Sequence, residues 1–254
     1  MREKSDMQTL AGRVAKLLSK AERVTFLTGA GVSKESGIPT FRDAQTGMWA
    51  NYNPQELATP EGFLKDPKLV WQWYDYRRKL LGDAEPNPGH RAIVELESLV
   101  TKVTVVTQNI DGLHQKAGSS DVVELHGSIK KFYCFDGGHD AHDVPFDLEE
   151  PPLCKCGSMI RPGVVWFGEA LPPHAMSRGL KECAESEVVF VAGTSALVQP
   201  AASLPYAAHR RGAKLIEVNP DETPITDIVD EFMQGPSGQV LPMVVAALKE
   251  LKGV

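Results

Sequence analysis

The chain has 254 residues, enough for one large domain or a large domain with a smaller companion. At 42% hydrophobic and 24% charged it has the balance of a globular protein, which excludes a disordered or fibrous chain. Its formal net charge of −6 excludes general attraction to nucleic acid or an anionic membrane, and no apolar run is long enough to span a bilayer. The start, Met1-Arg2-Glu3-Lys4-Ser5-Asp6, has no signal-peptide core, so a cytoplasmic location and a monomer are expected. The four cysteines, Cys134, Cys154, Cys156 and Cys183, are too few for a disulfide scaffold in a chain this long.

Leu10, Val14, Leu17 and Leu18 share one helical face and predict an opening amphipathic helix. A strand is expected over 23–28, running into Thr28-Gly29-Ala30-Gly31. A strand that ends on Gly-Ala-Gly leaves backbone N–H groups bare for a phosphate, and a helix starting near Ser33 would add its positive end. Between Gly47 and Pro88 there is no good strand. Trp, Tyr and Leu are dense there, and Thr59-Pro60 and Asp66-Pro67 suit helix starts, predicting a small helical insertion over the loop.

Ile93, Leu96 and Val100 continue a helix, with His90 near its start. The β-branched run 102–107 predicts a buried strand ending in Gln108-Asn109-Ile110-Asp111. A short strand over 122–125 ends at His126-Gly127. Residues 131–161 form a polar excursion holding three of the cysteines. Gly163 to Phe167 is apolar and ends at Gly168-Glu169. Further strands are expected at 188–192, ending in Gly193-Thr194-Ser195, and at 214–218, ending in Asn219-Pro220. Helices are expected near 175–185 and 201–211, and Val244, Leu248 and Leu251 mark a closing one.

Strands that alternate with helices predict a doubly wound, Rossmann-like parallel sheet, an α/β fold. In such a sheet the carboxyl ends of the strands lie along one edge, where ligands bind. The polar endings above should therefore converge on one crevice. The expected division is a larger domain of 1–44, 89–130 and 162–254, with 45–88 and 131–161 as two insertions that form a small domain.

The block GAGVSKESGIPTFRD closely resembles the cofactor loop of the sirtuins, the NAD-dependent protein deacylases. TQNIDGLH, ELHGS, RPGVVWFGE, GTSALVQPA and EVNPDETP resemble further blocks of that family, in order and at similar separations. The resemblance implies an enzyme that uses NAD to remove acyl groups from lysines of protein substrates. The products would be nicotinamide, O-acyl-ADP-ribose and free lysine. A protein ADP-ribosyltransferase and a non-catalytic NAD-binding module are the alternatives.

By the same resemblance, His126 is the catalytic base, and Asn109 and Asp111 hold the nicotinamide carboxamide and its ribose. Gln108 touches the same ribose, and Phe41 covers the reaction centre. Gly29, Ala30, Gly31 and Arg42 meet the pyrophosphate side. Gly193, Thr194 and Ser195 serve phosphate or ribose, and Asn219 serves the adenosine ribose. Val164, Val165, Phe167, Gly168 and Glu169 pair with the substrate peptide as an added strand. His90 and His114 are expected to be structural.

Two features point to the acyl group. Ala58 places a small residue where a larger one would narrow the acyl pocket. Tyr74 and Arg77, three apart on one helical face, can grip a carboxylate. Together they resemble the class III sirtuins, which remove succinyl, malonyl or glutaryl groups, with acetyl also accepted. One departure stands out. The family's paired Cys-x-x-Cys zinc module is broken here: Gly137 stands where the partner of Cys134 should be, and the second pair is compressed to Cys154-Lys155-Cys156. Three thiolates with His139 or His142 could still bind zinc, or packing alone could hold the module.

Overall fold

The computed structural model describes residues 2–40, 52–145 and 147–254. Helix α1 (Arg2–Leu18) leads into β1 (Arg23–Thr28). A 3-10 turn over Ala30–Ser36 follows, closed by Gly37 at φ 82°. The expected helix start near Ser33 is thus replaced by a tighter element that begins directly after Gly29. Then come α2 (Pro54–Leu57), α3 (Pro60–Lys65), α4 (Pro67–Asp83) and α5 (Pro88–Leu96). Three of these starts are fixed by one device: a proline in the first turn and a side-chain cap before it. Thr59 accepts from Gly62 N, Asp66 from Leu69 N, and Asn87 from Gly89 N and His90 N.

β2 (Lys102–Thr107), α6 (Leu113–Ala117) and β3 (Val122–Glu124) precede a hairpin of β4 (Gly127–Cys134) and β5 (Ile160–Val164). α7 (Pro173–Glu185), β6 (Val188–Ala192), α8 (Leu204–Arg210), β7 (Lys214–Asn219), β8 (Glu231–Gln234) and α9 (Ser237–Lys252) complete the chain. Six strands form one sheet in the order β3-β2-β1-β6-β7-β8, and every pairing is parallel. The apolar run near Gly163 belongs elsewhere: β5 pairs antiparallel with β4 in a separate two-stranded sheet.

Alternation along the strands divides the core. Val24 and Phe26 of β1, with Val188, Phe190 and Ala192 of β6, face α1, α5 and α9. Leu27, Val189 and Val191 face α7 and α8. Phe26 and Phe190 stack at 4.5 Å between ring centroids, a contact worth about 0.5–1.5 kcal/mol beyond its buried area. A third cluster joins the helical insertion to the hairpin through Phe63, Trp73, Tyr74, Val164 and Trp166.

Chain direction reverses its progress across the sheet between β1 and β6, and a crevice opens outside the carboxyl ends of those strands. The opposite edge is closed by charge: Lys102 Nζ lies 2.6 Å and Arg23 Nη2 3.2 Å from the buried Glu182 carboxylate.

Candidate active site

The turns after β1 and β6 meet at this switch point. Gly31 N donates to Gly193 O at 2.8 Å, and Gly29 N to Ala192 O at 3.1 Å. A Cβ on Gly31 would sit 2.7 Å from Gly193 O, and one on Gly193 would sit 2.3 Å from Val32 N. Gly193 also holds φ at 59°, which side chains resist. So the expectation of bare N–H groups at Gly29 and Gly31 is corrected: both are committed to the neighbouring loop. These glycines are needed because two backbones cross in contact.

The same crossing gathers the polar strand endings. Gln108 Nε2 donates to Thr194 Oγ1 at 3.0 Å, and Asn219 Nδ2 donates to Thr194 O at 2.9 Å. His126 Nδ1 lies 3.0 Å from Gln108 O. Ala30, Gly31, Gln108, His126, Thr194, Ser195 and Asn219 are partly exposed along the crevice, while Ser33, Asn109 and Asp111 are buried behind it. Residues from five strand ends thus share one cleft. Phe41 and Arg42 lie outside the described residues.

Ser33 is the residue that sequence reasoning gave no role. Asn109 Nδ2 donates to Ser33 Oγ at 3.1 Å, and Ser33 Oγ donates to Asp111 Oδ2 at 2.7 Å. Leu113 N donates to Asp111 Oδ1, so both carboxylate oxygens are held. Behind Asn109, its N–H donates to Thr107 Oγ1, which also accepts from Thr28 Oγ1. Thr28 has thereby given its only proton, so His114 Nε2, 3.0 Å away, must be the donor to Thr28. His114 and His90 sit with ring centroids 4.8 Å apart, and burial lowers both from the usual imidazole range, to about 3 and about 4. They are packed behind the site, as expected of structural residues.

His126 differs. Its Nδ1 faces a carbonyl, which only accepts, so Nδ1 must carry the proton and Nε2 keeps its lone pair. Burial lowers its pKa, opposed by the bond to Gln108. The side chain is held as a neutral imidazole of fixed tautomer, able to take a proton at Nε2 near neutral pH.

Beside the cleft, Ala58, Tyr74, Val164 and Trp166 lie in one apolar cluster. Trp166 Nε1 donates to Tyr74 Oη at 2.9 Å. Burial raises the Tyr74 hydroxyl to about 12, against the pull of Arg77, so it remains protonated. Arg77 lies over the Trp73 ring at 5.1 Å. Burial lowers its pKa, against the opposing pull of Tyr74 and Asp111.

The segment after β5 departs from expectation. Val165 N donates to His126 O, Phe167 N to Ala58 O, and Trp166 N to Glu169 Oε2. The Glu169 carboxylate also pairs with Arg161, at 2.5 and 2.9 Å, and Arg161 Nη2 donates to Val164 O. The N–H groups of Val165, Trp166 and Phe167 thus bond within the chain, and an added strand would have to exchange those bonds to use them. The carbonyls of Val164 and Trp166 are engaged too, by Arg161 Nη2 and Glu169 N.

At the far end of the hairpin, Cys134 Sγ and Cys156 Sγ are 3.4 Å apart, and His139 Nε2 is 3.2 Å from Cys154 Sγ. These four ligand atoms lie within 4.8 Å of one another. Tetrahedral zinc, with Zn–S near 2.3 Å, needs ligand atoms about 3.6–3.8 Å apart, so the set fits zinc in size and in donor softness.

Fold and cleft together define a doubly wound α/β protein with a ligand crevice at its switch point and a histidine of fixed tautomer beside it. The model of the Sir2 family matches residues 29–200. A NAD-dependent protein deacylase of Aquifex aeolicus is 49% identical over 232 residues, spanning 91% of this chain and 97% of that protein. NAD-dependent protein deacylase 1 of Archaeoglobus fulgidus is 46% identical, spanning 94% of this chain and 98% of its own. Among solved structures, a complex of a Sir2 homologue with NAD superposes with a TM-score of 0.88 at 45% identity, covering 94% of each chain. Sir2Af2 bound to a myristoylated histone peptide superposes with a TM-score of 0.77 at 36% identity, covering 96% of this chain and 98% of that one. The chain belongs to the Sir2 family.

Proposed function

We propose that the protein is an NAD-dependent protein-lysine deacylase whose acyl pocket accepts succinyl, malonyl or glutaryl groups as well as acetyl. The observation that carries the reading is His126, fixed by Gln108 O with its Nε2 lone pair available, on the crevice behind which Asn109 and Asp111 are held. Relatives named NAD-dependent protein deacylases, and Sir2 structures holding NAD or peptides, support it.

When bound, NAD would supply a ribose carbon that can bond to the acyl oxygen as its bond to nicotinamide breaks and nicotinamide leaves. Asn109 offers the amide donor and acceptor that a carboxamide needs, and Ser33 fixes its rotation. Asp111 places a held negative charge beside the ribose site. His126 Nε2 takes a ribose hydroxyl proton. Gly29, Ala30, Gly31, Gly193, Thr194, Ser195 and Asn219 line the phosphate and adenosine end, with Phe41 and Arg42 assigned by family resemblance.

In the acyl pocket, Tyr74 accepts from Trp166 and keeps its own O–H to donate to an acyl carboxylate. Arg77 supplies the positive charge, and Ala58 leaves room. The peptide lies along Val164 to Glu169. Residues 1–44, 89–130 and 162–254 act as the NAD-binding domain, supported by the parallel sheet they build. Partners are acylated proteins, met by a monomer in the cytoplasm. The net charge of −6 supports leaving nucleic acid and membrane out, and no helix among the described residues is long and apolar enough to cross a membrane.

The test incubates the protein with NAD and matched succinyl-lysine and acetyl-lysine peptides, reading products by mass spectrometry. Free lysine with acyl-ADP-ribose is expected, abolished by H126A. R77M should cost succinyl turnover far more than acetyl turnover, and equal losses would refute the acidic pocket. ADP-ribosylated protein or unchanged NAD would refute deacylation.

A further inference from the structure

The metal knuckle carries a feature that the family pattern does not supply. Two short hairpins build it. In the first, Cys134 N donates to His139 O at 2.9 Å and Gly138 N to Cys134 O at 2.9 Å, while Gly137 N donates to Cys134 Sγ at 3.3 Å. In the second, Cys154 N donates to Ser158 O at 2.7 Å and Gly157 N to Cys154 O at 2.8 Å. The bridges Tyr133–Asp140 and Leu153–Met159 fix the two hairpin stems. The backbone thus aims Cys134, Cys154 and Cys156 at one point, and one tetrahedral position is left for another residue.

Gly137 stands at the expected cysteine position, and its missing side chain has a steric meaning. A Cβ there would lie 2.5 Å from His139 Nδ1, 2.7 Å from His139 Cε1 and 3.2 Å from Cys134 Sγ. Any side chain at 137 would push the His139 ring off the thiolates. With glycine, the ring turns inward and brings Nε2 to 3.2 Å from Cys154 Sγ. His142, the other histidine of the module, is not among the converging atoms.

We infer that His139 has taken the fourth ligand position, and that Gly137 is what lets it do so: the loss of the cysteine and the gain of the histidine are one exchange. The site is a Cys3His zinc knuckle in which glycine makes the room for imidazole. Three thiolates and an imidazole suit zinc and carry one negative charge fewer than four thiolates.

Cobalt(II) tests this, because its visible bands report tetrahedral geometry and its thiolate charge-transfer band grows with each sulfur. The full chain, stripped with chelator and kept reduced, is titrated with Co(II). One equivalent should bind with tetrahedral bands. H139A should weaken binding beyond the roughly 10–100-fold typical of losing an outer-shell partner. G137A, which removes no ligand, should weaken it too. G137C/H139A should recover tight binding, with charge transfer rising in the ratio of four thiolates to three. An H139A protein with unchanged affinity and spectrum would overturn the assignment to His139. Unchanged affinity in G137A would overturn the role of the glycine. If H139A does not fold, the double variant decides: a folded, metal-loaded protein upholds the exchange, and one that binds no Co(II) overturns it.

Discussion

Replacing Tyr74 with phenylalanine removes one oxygen and leaves the ring. Tyr74 and Trp166 are 1% and 2% exposed, and the indole N–H donates to the phenol oxygen at 2.9 Å. No water can replace the lost acceptor in that cluster without a cavity to hold it. The variant therefore leaves a buried donor unsatisfied, which costs about 1–3 kcal/mol. For a chain of this size that is a fall in Tm of about 2–4 °C per kcal/mol. W166F also costs stability, through lost volume and the loss of Arg161 stacking at 3.5 Å from the indole. In Y74F/W166F neither partner of the bond remains, so the double loss should fall short of the summed single losses by about 1–2 kcal/mol. Urea unfolding of the four proteins measures the cycle. Additivity within about 0.5 kcal/mol would show that the bond is energetically idle, and would remove the claim that Trp166 holds the hydroxyl in place. The enzymatic counterpart is that Y74F should lower succinyl turnover more than acetyl turnover.

Acid should destabilise the fold. Burial holds His90 near about 4 and His114 near about 3, below the 6.5 of an unfolded histidine. The unfolded chain takes up protons first as pH falls, so stability is full above 6.5 and is lost on the way down towards these values, at about 1.4 kcal/mol per pH unit for each histidine. Urea midpoints at pH 7, 6 and 5 should fall accordingly, and a flat series would mean that the folded imidazoles protonate normally. Gly193→Ala should be far worse than Gly212→Ala. Both positions have positive φ, 59° and 87°, and share an αL strain of about 1–2 kcal/mol. A Cβ added at Gly212 meets nothing within 4 Å, whereas one added at Gly193 meets Val32 N, adding about 1–3 kcal/mol and a raised KM for NAD. Equal stabilities would show that the two turns do not depend on their close crossing.

The sheet was legible because its strands are buried on both faces and read as apolar runs rich in β-branched residues: Arg23–Thr28, Lys102–Thr107 and Val188–Ala192 fall where the sequence puts them. Pro60 and Pro67, each behind a capping side chain, marked their helices equally well. β8 escaped notice because only Met233 of its four residues is fully buried. β4 did so because Lys130 and Lys131 interrupt its apolar character. In the site, the residues that end strands could be read in advance, since topology alone sends them to one edge. Ser33 and Trp166 could not. Their roles are bonds to residues 76, 78 and 92 positions away, and no local pattern encodes such contacts. The N–H groups of Gly29 and Gly31 misled for the same reason: their acceptors lie on a loop more than 150 residues downstream.

The knuckle and the acyl pocket are not independent modules. Phe135 follows Cys134 directly, and its ring packs 5.3 Å from Phe63 and 6.4 Å from Trp166. Its backbone N–H donates to Met159 O, on the second hairpin of the knuckle. Phe63 in turn lies 5.3 Å from Trp166, which holds Tyr74. A metal bound at Cys134 would therefore fix one wall of the proposed pocket, through rings rather than charges. The NAD crevice rests on other supports: the crossing of Gly31 and Gly193, and the threonine and serine bonds behind Asn109 and Asp111. On the proposed reading, an exchange of cysteine for histidine in the knuckle would reach the acyl pocket first, through those rings. His126 stands where pocket and crevice meet: its ring is held by Gln108, while its carbonyl accepts from Val165 N at the base of the hairpin that carries Cys134.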